Sequence, residues 1–379
     1  MAPDPPVTHV PPWMPPDWAP AFEAVPRAAF LPEVMWPHDM ATGRSVAVSK
    51  EADPEGWQRW AGADDPIVTQ WDDGAHQGDK PGTSFSSSSS MPSLVFSMLG
   101  DLDVRPGQRV LEVGTGTGWN AALLAHRVGA ANVVTVEVDA EVAARGRAAL
   151  ERFGSPVEVV QGDGALGCAE RAPFDRIIVT CGVRQVPDAW IRQTRPGGVV
   201  LLPWGTYYGA DEATARLVVD SDGRTASGAF TRPVAFMRMR SQRSVWPRHD
   251  AYVPGAEAMD AAEVSYTDVP EDAFRRAGFV IGLRVRHVAH NADRERDGRR
   301  AVWFYGLTDR SWAVVVFRDG RTRAKVYQAG PRRLWDEVEG AYEWWDRHGR
   351  PGPERFGLTV GADGRAAVWL DRPGDVWAV

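Results

Sequence analysis

The sequence predicts an α/β protein built on a doubly wound, Rossmann-like parallel sheet, to which a C-terminal α+β region is added. Between residues 109 and 205, continuous apolar strands alternate with helical segments, the pattern of a parallel sheet covered on both faces. From residue 245 onward, strand-like segments surround one strongly periodic helical segment, residues 332–349. A chain of 379 residues exceeds one ordinary core, so two domains, or one domain with a large extension, are expected.

The parallel sheet is expected to contain five strands with helices between them. The predicted strands are residues 109–113, 132–138, 157–164, 175–182 and 199–205, and the predicted helices are residues 120–128, 141–154 and 188–198. After residue 211, a hairpin turned at Asp222 and Gly223 would complete the sheet with antiparallel strands.

Regions outside the sheet set the predicted domain boundaries. Residues 1–20 are rich in proline and predict an extended or disordered arm. Residues 21–40 predict a short helix and a turn, and the polar residues 45–84 predict an insertion loop. The main domain would then span residues 21–244, and an α+β accessory domain that recognises a peptide would span residues 245–379.

Composition narrows the function classes. The net charge of −7 and the pI of about 5.7 argue against a nucleic-acid partner. Two cysteines, Cys168 and Cys181, are too few for a disulfide framework, and no histidine spacing indicates a metal site. The N-terminus lacks the features of a signal peptide, and no apolar run is long enough to span a membrane, so a cytoplasmic protein is expected.

A glycine-rich segment, VLEVGTGTG, follows the first predicted strand. Gly114, Gly116 and Gly118 allow a tight turn and the close approach of a ligand to the backbone. Trp119 replaces the third glycine of the dinucleotide fingerprint, and Glu112 lies inside the motif. This combination indicates S-adenosylmethionine rather than a nicotinamide cofactor.

Three later features, each at the end of a predicted strand, accompany this loop. Glu137, at the end of the second strand, can accept both ribose hydroxyls. Asp163 can accept from the adenine amino group, Gly164 lets the ring lie against the backbone, and Thr180 ends the fourth strand near the methyl donor. Taken singly, Glu137 could be a surface acid and the Gly-Asp-Gly segment an ordinary turn. Together they indicate a methyltransferase.

Several motifs, in order along the chain, resemble the protein-L-isoaspartate O-methyltransferase family. They are VPRAAFLPE, a Ser-x-Pro entering a helix, RPGQRVLEVGTGTGWNAALLA, GDGALG, APFDRIIVT and RPGGVVLLPWG. The likeness covers roughly residues 20–240. It implies a class I methyltransferase fold, S-adenosylmethionine as the cofactor and a peptide carboxylate as the methyl acceptor.

Five consecutive serines, residues 86–90, precede the helix that the Ser-x-Pro motif enters. The resemblance places Ser90 on the acceptor carboxylate, and we predict a catalytic role for Ser90 with Ser89 beside it. A carboxylate is already an anion at neutral pH, so it needs positioning rather than a general base. We therefore predict an ordered strip of hydroxyl donors that leads into a helix start near Ser90 or Pro92, capped by a serine. The alternative is a flexible linker.

Three departures from the repair enzymes resemble an actinobacterial branch that accompanies lanthipeptides and graspetides. They are Met91 after the serines, the polar insertion at residues 45–84 and about 140 additional C-terminal residues. This likeness implies an enzyme that methylates an L-Asp side chain in a cyclised precursor peptide, which would then form an aspartimide and, in some systems, isoaspartate.

Two other functions remain open. One is the repair of damaged proteins by methylation of L-isoaspartyl residues, which uses the same cofactor and the same reaction. The other is a cofactor-binding scaffold without turnover, since a fold alone does not prove chemistry. The sequence does not determine the oligomeric state.

Overall fold

A computed structural model describes residues 11–374 and 376–379. The described part contains ten α-helices and twenty strands. The helices are α1 (Ala19–Ala24), α2 (Pro54–Gly62), α3 (Pro92–Leu102), α4 (Trp119–Val128), α5 (Ala140–Phe153), α6 (Asp188–Arg192), α7 (Ala256–Asp260), α8 (Ala273–Arg276), α9 (Gly278–Arg284) and α10 (Leu334–Arg347). The strands are β1 (Val34–Asp39), β2 (Arg44–Ser45), β3 (Val48–Ser49), β4 (Ile67–Trp71), β5 (Phe85–Ser89), β6 (Val110–Val113), β7 (Val133–Glu137), β8 (Glu158–Gln161), β9 (Phe174–Val179), β10 (Thr194–Gly205), β11 (Glu212–Val219), β12 (Thr225–Val234), β13 (Glu263–Thr267), β14 (Val288–Ala292), β15 (Arg299–Gly306), β16 (Trp312–Arg318), β17 (Ala324–Ala329), β18 (Phe356–Gly361), β19 (Ala366–Leu370) and β20 (Val376–Ala378).

The chain divides into two compact units. The first runs to Cys181 and also includes Pro187–Leu202 and Arg216–Ala226. The second contains Gly182–Val186, Pro203–Ala215 and the chain from Ser227 onward. The second unit therefore begins well before the domain boundary predicted at residue 245.

The first unit contains the predicted parallel sheet, with the strand order β10-β9-β6-β7-β8. The predicted parallel sheet of five strands is confirmed. All four residues of β6 are buried, as expected for a strand covered on both faces. Asp220 and Thr225 close the predicted hairpin between β11 and β12, and Gly223 has a left-handed φ of 69° in its turn.

Local sequence explains the bounds of the helices in this unit. Helix α5 begins after Asp139, whose side chain accepts from the amides of Glu141 and Val142, and it ends at Gly154 in the left-handed conformation. Helix α6 is shorter than the predicted segment 188–198, because β10 already begins at Thr194 and pairs there with Phe174 of β9.

The prediction of an insertion loop at residues 45–84 is wrong. This segment contains α2 and β4, and Trp57 and Ile67 pack with Met35 in a small core of their own. Strand β1, which was predicted as part of a helix and turn, joins them in a sheet with the order β2-β1-β4-β5. Trp57, Ile67 and Trp71 of this segment are large and buried, so they support a folded element.

The predicted N-terminal arm falls partly on residues 1–10, outside the described residues. Residues 11–20 are packed rather than extended: Met14 and Trp18 are buried, and the Trp18 ring lies 6.4 Å from that of Phe96 in α3. Trp18 also lies beneath the guanidinium of Arg127 at 5.6 Å.

The second unit contains an antiparallel sheet with the strand order β13-β17-β16-β15-β14. Helix α10 covers one face of it, and the Trp335 ring lies 5.8 Å from that of Phe304 in β15. Strands β18 and β19 form the hairpin predicted at Asp363 and Gly364. A search of the described helices finds none with the length and apolar character needed to cross a membrane.

Candidate cofactor and acceptor site

The glycine loop, residues 114–118, follows β6 and depends on backbone conformations that favour glycine. Gly114, Gly116 and Gly118 have φ values of 102°, 52° and 88°. A Cβ atom at Gly114 would lie only 2.5 Å from Thr180 Oγ1. Thr180 Oγ1 in turn donates to the Gly114 carbonyl at 2.8 Å. Thr180 therefore holds the loop at the end of the fourth strand, next to the position that the sequence assigned to the methyl donor.

Two segments approach this loop closely. A Cβ atom at Gly116 would lie 3.3 Å from the Ser88 carbonyl oxygen, so the serine strand β5 runs directly beside the loop. A Cβ atom at Gly146, inside α5, would lie 2.9 Å from Thr115 Cγ2 and 3.1 Å from the Gly116 carbonyl oxygen. Gly146 was not predicted. Its signal in the sequence is a glycine inside an otherwise strong helical pattern.

Glu137 lies beside the loop, as predicted. Its Oε2 accepts from the Gly116 amide at 3.1 Å, and its Oε1 accepts from the Asp139 amide at 3.2 Å. A carboxylate has further lone pairs beyond these two, so Glu137 retains the capacity to accept ribose hydroxyls. The next side chain, Val138, is apolar and 43% exposed, which suits contact with an aromatic base.

Asp163 and Gly164 follow β8. Asp163 is exposed, and one of its oxygens accepts from the Ala165 amide at 2.9 Å. Gly164 is buried, and its carbonyl accepts from Trp190 Nε1 at 2.8 Å. Leu166, just beyond, is 70% exposed although it is apolar. An exposed acid and an exposed leucine together could contact the amino group and the ring of an adenine.

Glu112 does not line the site as predicted. Its carboxylate is fully buried, where Thr135 Oγ1 donates to one oxygen at 2.6 Å and Asn120 Nδ2 donates to the other at 2.7 Å. Burial raises the pKa of Glu112 to about 7, the two hydrogen bonds oppose this rise, and Glu137 adds to it. Glu112 therefore supports β6 and α4 from within the core.

The serines form an ordered strand, so the linker alternative is wrong. Strand β5 pairs with β4 in an antiparallel ladder. Ser87 and Ser89 are buried, whereas Ser86 and Ser88 are half-buried, the alternation expected of a strand. One side of this strip therefore faces the core of the small sheet, and the other side presents hydroxyls.

A buried arginine holds this strand in place. Arg27 Nε donates to Ser89 Oγ at 2.9 Å, and its Nη2 donates to the Ser89 carbonyl at 2.8 Å. The same guanidinium donates to the carbonyls of Ala63 and Asp65. Burial lowers the pKa of Arg27 to about 10, and Asp64 and Asp65 oppose this shift. The Ser89 hydroxyl is therefore buried against Arg27, and the catalytic role predicted for Ser89 stays a prediction.

Ser90 is half-buried, and its hydroxyl makes no hydrogen bond to any residue that the structure describes. The same is true of Ser88, which shares its side of the strip and was not predicted. Helix α3 begins directly after Met91, which makes no side-chain cap. The predicted serine cap is wrong: the Ser93 amide donates instead to Asp64 Oδ1 at 2.8 Å. Ser90 thus lies between the strand and the start of a helix.

A chain of hydrogen bonds connects the serine strand with helix α5, which contacts the glycine loop. Ser86 Oγ donates to Gln70 Oε1 at 2.9 Å, and Gln70 Nε2 donates to Asp139 Oδ2 at 3.2 Å. Asp139 also caps α5, whose Gly146 contacts the glycine loop. Gln70 carries no motif signal, because its partner lies 69 positions away.

The site chemistry rests on hydroxyls, amides and carboxylates. Within residues 11–374 and 376–379, no group of three or more His, Cys, Asp or Glu side chains could hold a metal ion. The glycine loop turns sharply at three glycines with positive φ, and the hydroxyl nearest to it is that of Ser87, whose Oγ would lie 4.0 Å from a Cβ atom at Gly116. The hydroxyls of Ser88 and Ser90, which have no partner among the described residues, can donate to an anion.

Comparison with known proteins identifies similar chains. The family described as protein-L-isoaspartate(D-aspartate) O-methyltransferase (PCMT) matches residues 70–243. A protein-L-isoaspartate O-methyltransferase from Pyrococcus horikoshii is 42% identical over 120 residues, which are 31% of this chain and 54% of that protein. A protein-L-isoaspartate O-methyltransferase 2 from a Polaromonas species is 37% identical over 155 residues, 41% of this chain and 72% of that protein.

This chain spans only about half the length of the Pyrococcus relative and 62% of a Thermococcus sibiricus one. A solved structure named protein-L-isoaspartate O-methyltransferase superposes with a TM-score of 0.52 at 23% identity, covering 95% of this chain and 96% of that one. The likeness of fold therefore extends through the C-terminal region. None of the relatives named above carries a description that points to peptide biosynthesis.

Proposed function

Because the chain belongs to the protein-L-isoaspartate(D-aspartate) O-methyltransferase family, we propose that it is an S-adenosylmethionine-dependent O-methyltransferase that esterifies the carboxylate of L-isoaspartyl residues in proteins and peptides. One observation carries the proposal. The glycine loop and the serine strand adjoin, with the Ser88 carbonyl 3.3 Å from where a Gly116 Cβ would lie. A donor held by the loop would have hydroxyl donors beside it.

The residues of the loop fit the cofactor. The positive φ values of Gly114, Gly116 and Gly118 form the tight turn that lets a ligand approach the backbone, and Glu137 retains lone pairs for a ribose diol. Asp163 would accept from the adenine amino group. When bound, S-adenosylmethionine supplies an electrophilic methyl group, and its transfer leaves a methyl ester and S-adenosylhomocysteine.

The acceptor side needs positioning and no proton transfer. An isoaspartyl carboxylate has a pKa near 4 in ordinary peptides, so it is ionised at neutral pH. Ser90 and Ser88 would each donate one hydrogen bond to it, and the first turn of α3 favours an anion. A neutral hydroxyl orients the carboxylate with less charge neutralisation than a guanidinium pair would. Orientation of this kind can contribute about 7–11 kcal/mol to catalysis.

Peptide tailoring is the second candidate. Met91 follows the serines, and residues 45–84 form a folded element that supplies Gln70 to the serine strand and Asp64 to the first turn of α3. Much of this element lies before residue 70, where the family match begins. This element could recognise a different substrate, such as an L-Asp in a cyclised precursor peptide. The methyl ester of that residue would close to an aspartimide with loss of methanol.

A single assay separates these functions. The protein is incubated with S-adenosylmethionine and, in parallel, a linear isoaspartyl peptide, the same peptide with ordinary L-Asp, and a side-chain-cyclised peptide that contains L-Asp. Mass spectrometry should show a methyl gain on the isoaspartyl peptide alone. A gain confined to the cyclised peptide, followed by a net loss of water, would favour the second candidate. No gain on any peptide, with the cofactor bound, would favour a scaffold.

A further inference from the structure

The antiparallel sheet of the second unit has two unequal faces. Residues that alternate along each strand are aligned across it by the register, and Val264, Tyr327, Val314 and Trp303 form one such row. The opposite face, which includes Phe304, is buried and is covered by α10.

The first face is only partly covered. Tyr252, Val253 and Met259 pack over one end of it, against Tyr305 and Trp312. The remainder, which we call the open sheet face, consists of Val264, Tyr266, Trp303, Val316, Lys325 and Tyr327, which are half-buried or exposed. Tyr266 is 56% exposed and Val264 is 47% exposed. Exposed aromatic and branched side chains in one row are unusual for a free surface.

Cations line this face. Lys325 Nζ lies 4.5 Å from the centre of the Tyr327 ring, and Arg323 lies 5.7 Å from the Tyr266 ring. Arg299 and Arg318 are register partners on the same side of the sheet. Lys325, Arg299 and Arg318 form no ion pair with any residue in the described ranges.

Two acidic groups contact residues of this side. Asp268 pairs with Arg323 at 3.4 Å, and Asp293 accepts from Trp303 Nε1 at 2.9 Å. The side of the sheet that carries the open sheet face therefore has three cations without an ion-pair partner among the described residues, in a chain whose net charge is −7. This difference favours an acidic partner and attracts it from solution.

The face ends at a free strand edge. Among the described strands, β13 pairs with β17 and with no other. A short edge strand with exposed side chains is a common place for an extended polypeptide to bind, because its backbone can pair there while its side chains contact the face.

We propose that the open sheet face binds an extended, acidic segment of polypeptide along β13. Its identification as part of the methyl-accepting protein rests on the proposed function. A second copy of this chain is disfavoured, since a symmetric contact would bring two copies of the same cationic surface together. A nucleic acid is disfavoured by the negative charge of the whole chain.

The test uses the full chain and a fluorescein-labelled acidic peptide without isoaspartate, followed by anisotropy. A matched peptide with Asn and Gln in place of Asp and Glu should bind at least about tenfold more weakly. Lys325→Glu should weaken binding of the acidic peptide about tenfold, and Tyr266→Ser about fivefold. Trp246→Ser, which alters a 48% exposed aromatic residue outside the sheet, is the control and should leave binding unchanged.

The outcomes separate the possible occupants. If Lys325→Glu and Tyr266→Ser bind the acidic peptide as tightly as the wild-type protein does, the proposal is overturned. It is also overturned if the neutral peptide binds the wild-type protein as tightly as the acidic peptide does. A wild-type dimer that Lys325→Glu converts to a monomer in sedimentation, or tighter binding of a single-stranded oligonucleotide than of the peptide, would overturn it as well.

Methylation assays distinguish this inference from the proposed function. Lys325→Glu should raise the KM for an isoaspartyl peptide with an acidic extension and leave kcat/KM for a short isoaspartyl peptide unchanged. If wild-type protein methylates neither peptide but still binds the acidic one, the proposed function fails and the docking surface stands. If both kinetic constants are unchanged and binding is unaffected, the docking surface fails.

Discussion

The donor half of the candidate site, which is the glycine loop and its neighbours, and the acceptor half, which is the serine strand, are supported in different ways. The donor half is held by residues at the ends of adjacent parallel strands, such as Thr180 and Glu137. The acceptor half is held by hydrogen bonds from distant parts of the chain, above all from Arg27, 62 positions before Ser89. The donor half is therefore a property of the sheet, and the acceptor half depends on a few buried polar contacts.

Arg27→Met should have the largest effect. It removes the buried donor to Ser89, Ala63 and Asp65, and each carbonyl left without a partner costs about 1–3 kcal/mol. We expect the free energy of unfolding to fall by about 4 kcal/mol, measured by urea denaturation. Arg147→Met, which removes one hydrogen bond to the Val159 carbonyl beside the donor half, is the control and should cost under about 1 kcal/mol. Equal losses would remove the distinction between the halves.

Glu112→Gln should change how stability depends on pH. The pKa of Glu112 is 4.5 in an unfolded chain and about 7 in the folded protein, so the folded state binds more protons between these values. The wild-type protein should therefore lose up to about 3 kcal/mol from this group as the pH rises from about 5 to about 8. The variant should not show this loss.

Urea denaturation of both proteins at several pH values measures the difference between them. Glu151→Gln, at an exposed position of α5, is the control and should follow the wild-type curve. If the free energies of unfolding of the wild-type protein and of Glu112→Gln differ by the same amount at every pH, the raised pKa of a buried Glu112 carboxylate is contradicted.

Ser90→Ala should reduce turnover with little effect on cofactor affinity. The loss of one hydroxyl donor to the acceptor should lower kcat about 30-fold, measured with an isoaspartyl peptide, and leave the Kd for S-adenosylhomocysteine within about twofold. Ser89→Ala should instead lower stability by about 1 kcal/mol, because its hydroxyl accepts from Arg27, and should change kcat by less than about threefold. A reversal of these two results would return the catalytic role to Ser89.

Asp163→Ala should have the smallest effect, confined to the donor half. Loss of an acceptor for the adenine amino group should weaken S-adenosylhomocysteine about tenfold, measured by calorimetry, with kcat at saturation nearly unchanged. Asp222→Ala, in the distant hairpin turn, is the control. Unaltered affinity in Asp163→Ala would remove this residue from the adenine pocket.

The contrast between the halves explains what the sequence could predict. Parallel strands place their carboxyl ends at one edge, so the spacing of Gly114, Glu137 and Asp163 predicts that they meet there, and the structure places Glu137 against the glycine loop. Glu112 was misplaced because a motif gives the position of a residue and not the direction of its side chain.

The acceptor half could be predicted only in part. The serine run and Pro92 predicted an ordered strip leading into a helix, and the structure contains both. Arg27, Gln70 and Asp64 were missed, because a polar residue that bonds across tens of positions leaves no local pattern. The folding of residues 45–84 was missed for a similar reason: a few large apolar residues, Trp57 among them, override a polar composition.

The most direct test is a crystal structure with S-adenosylhomocysteine bound. We expect the ribose hydroxyls within hydrogen-bonding distance of Glu137, the adenine beside Asp163 and the sulfur atom facing the Ser90 hydroxyl. A ligand bound elsewhere, or one whose sulfur faces away from residues 86–90, would contradict the account.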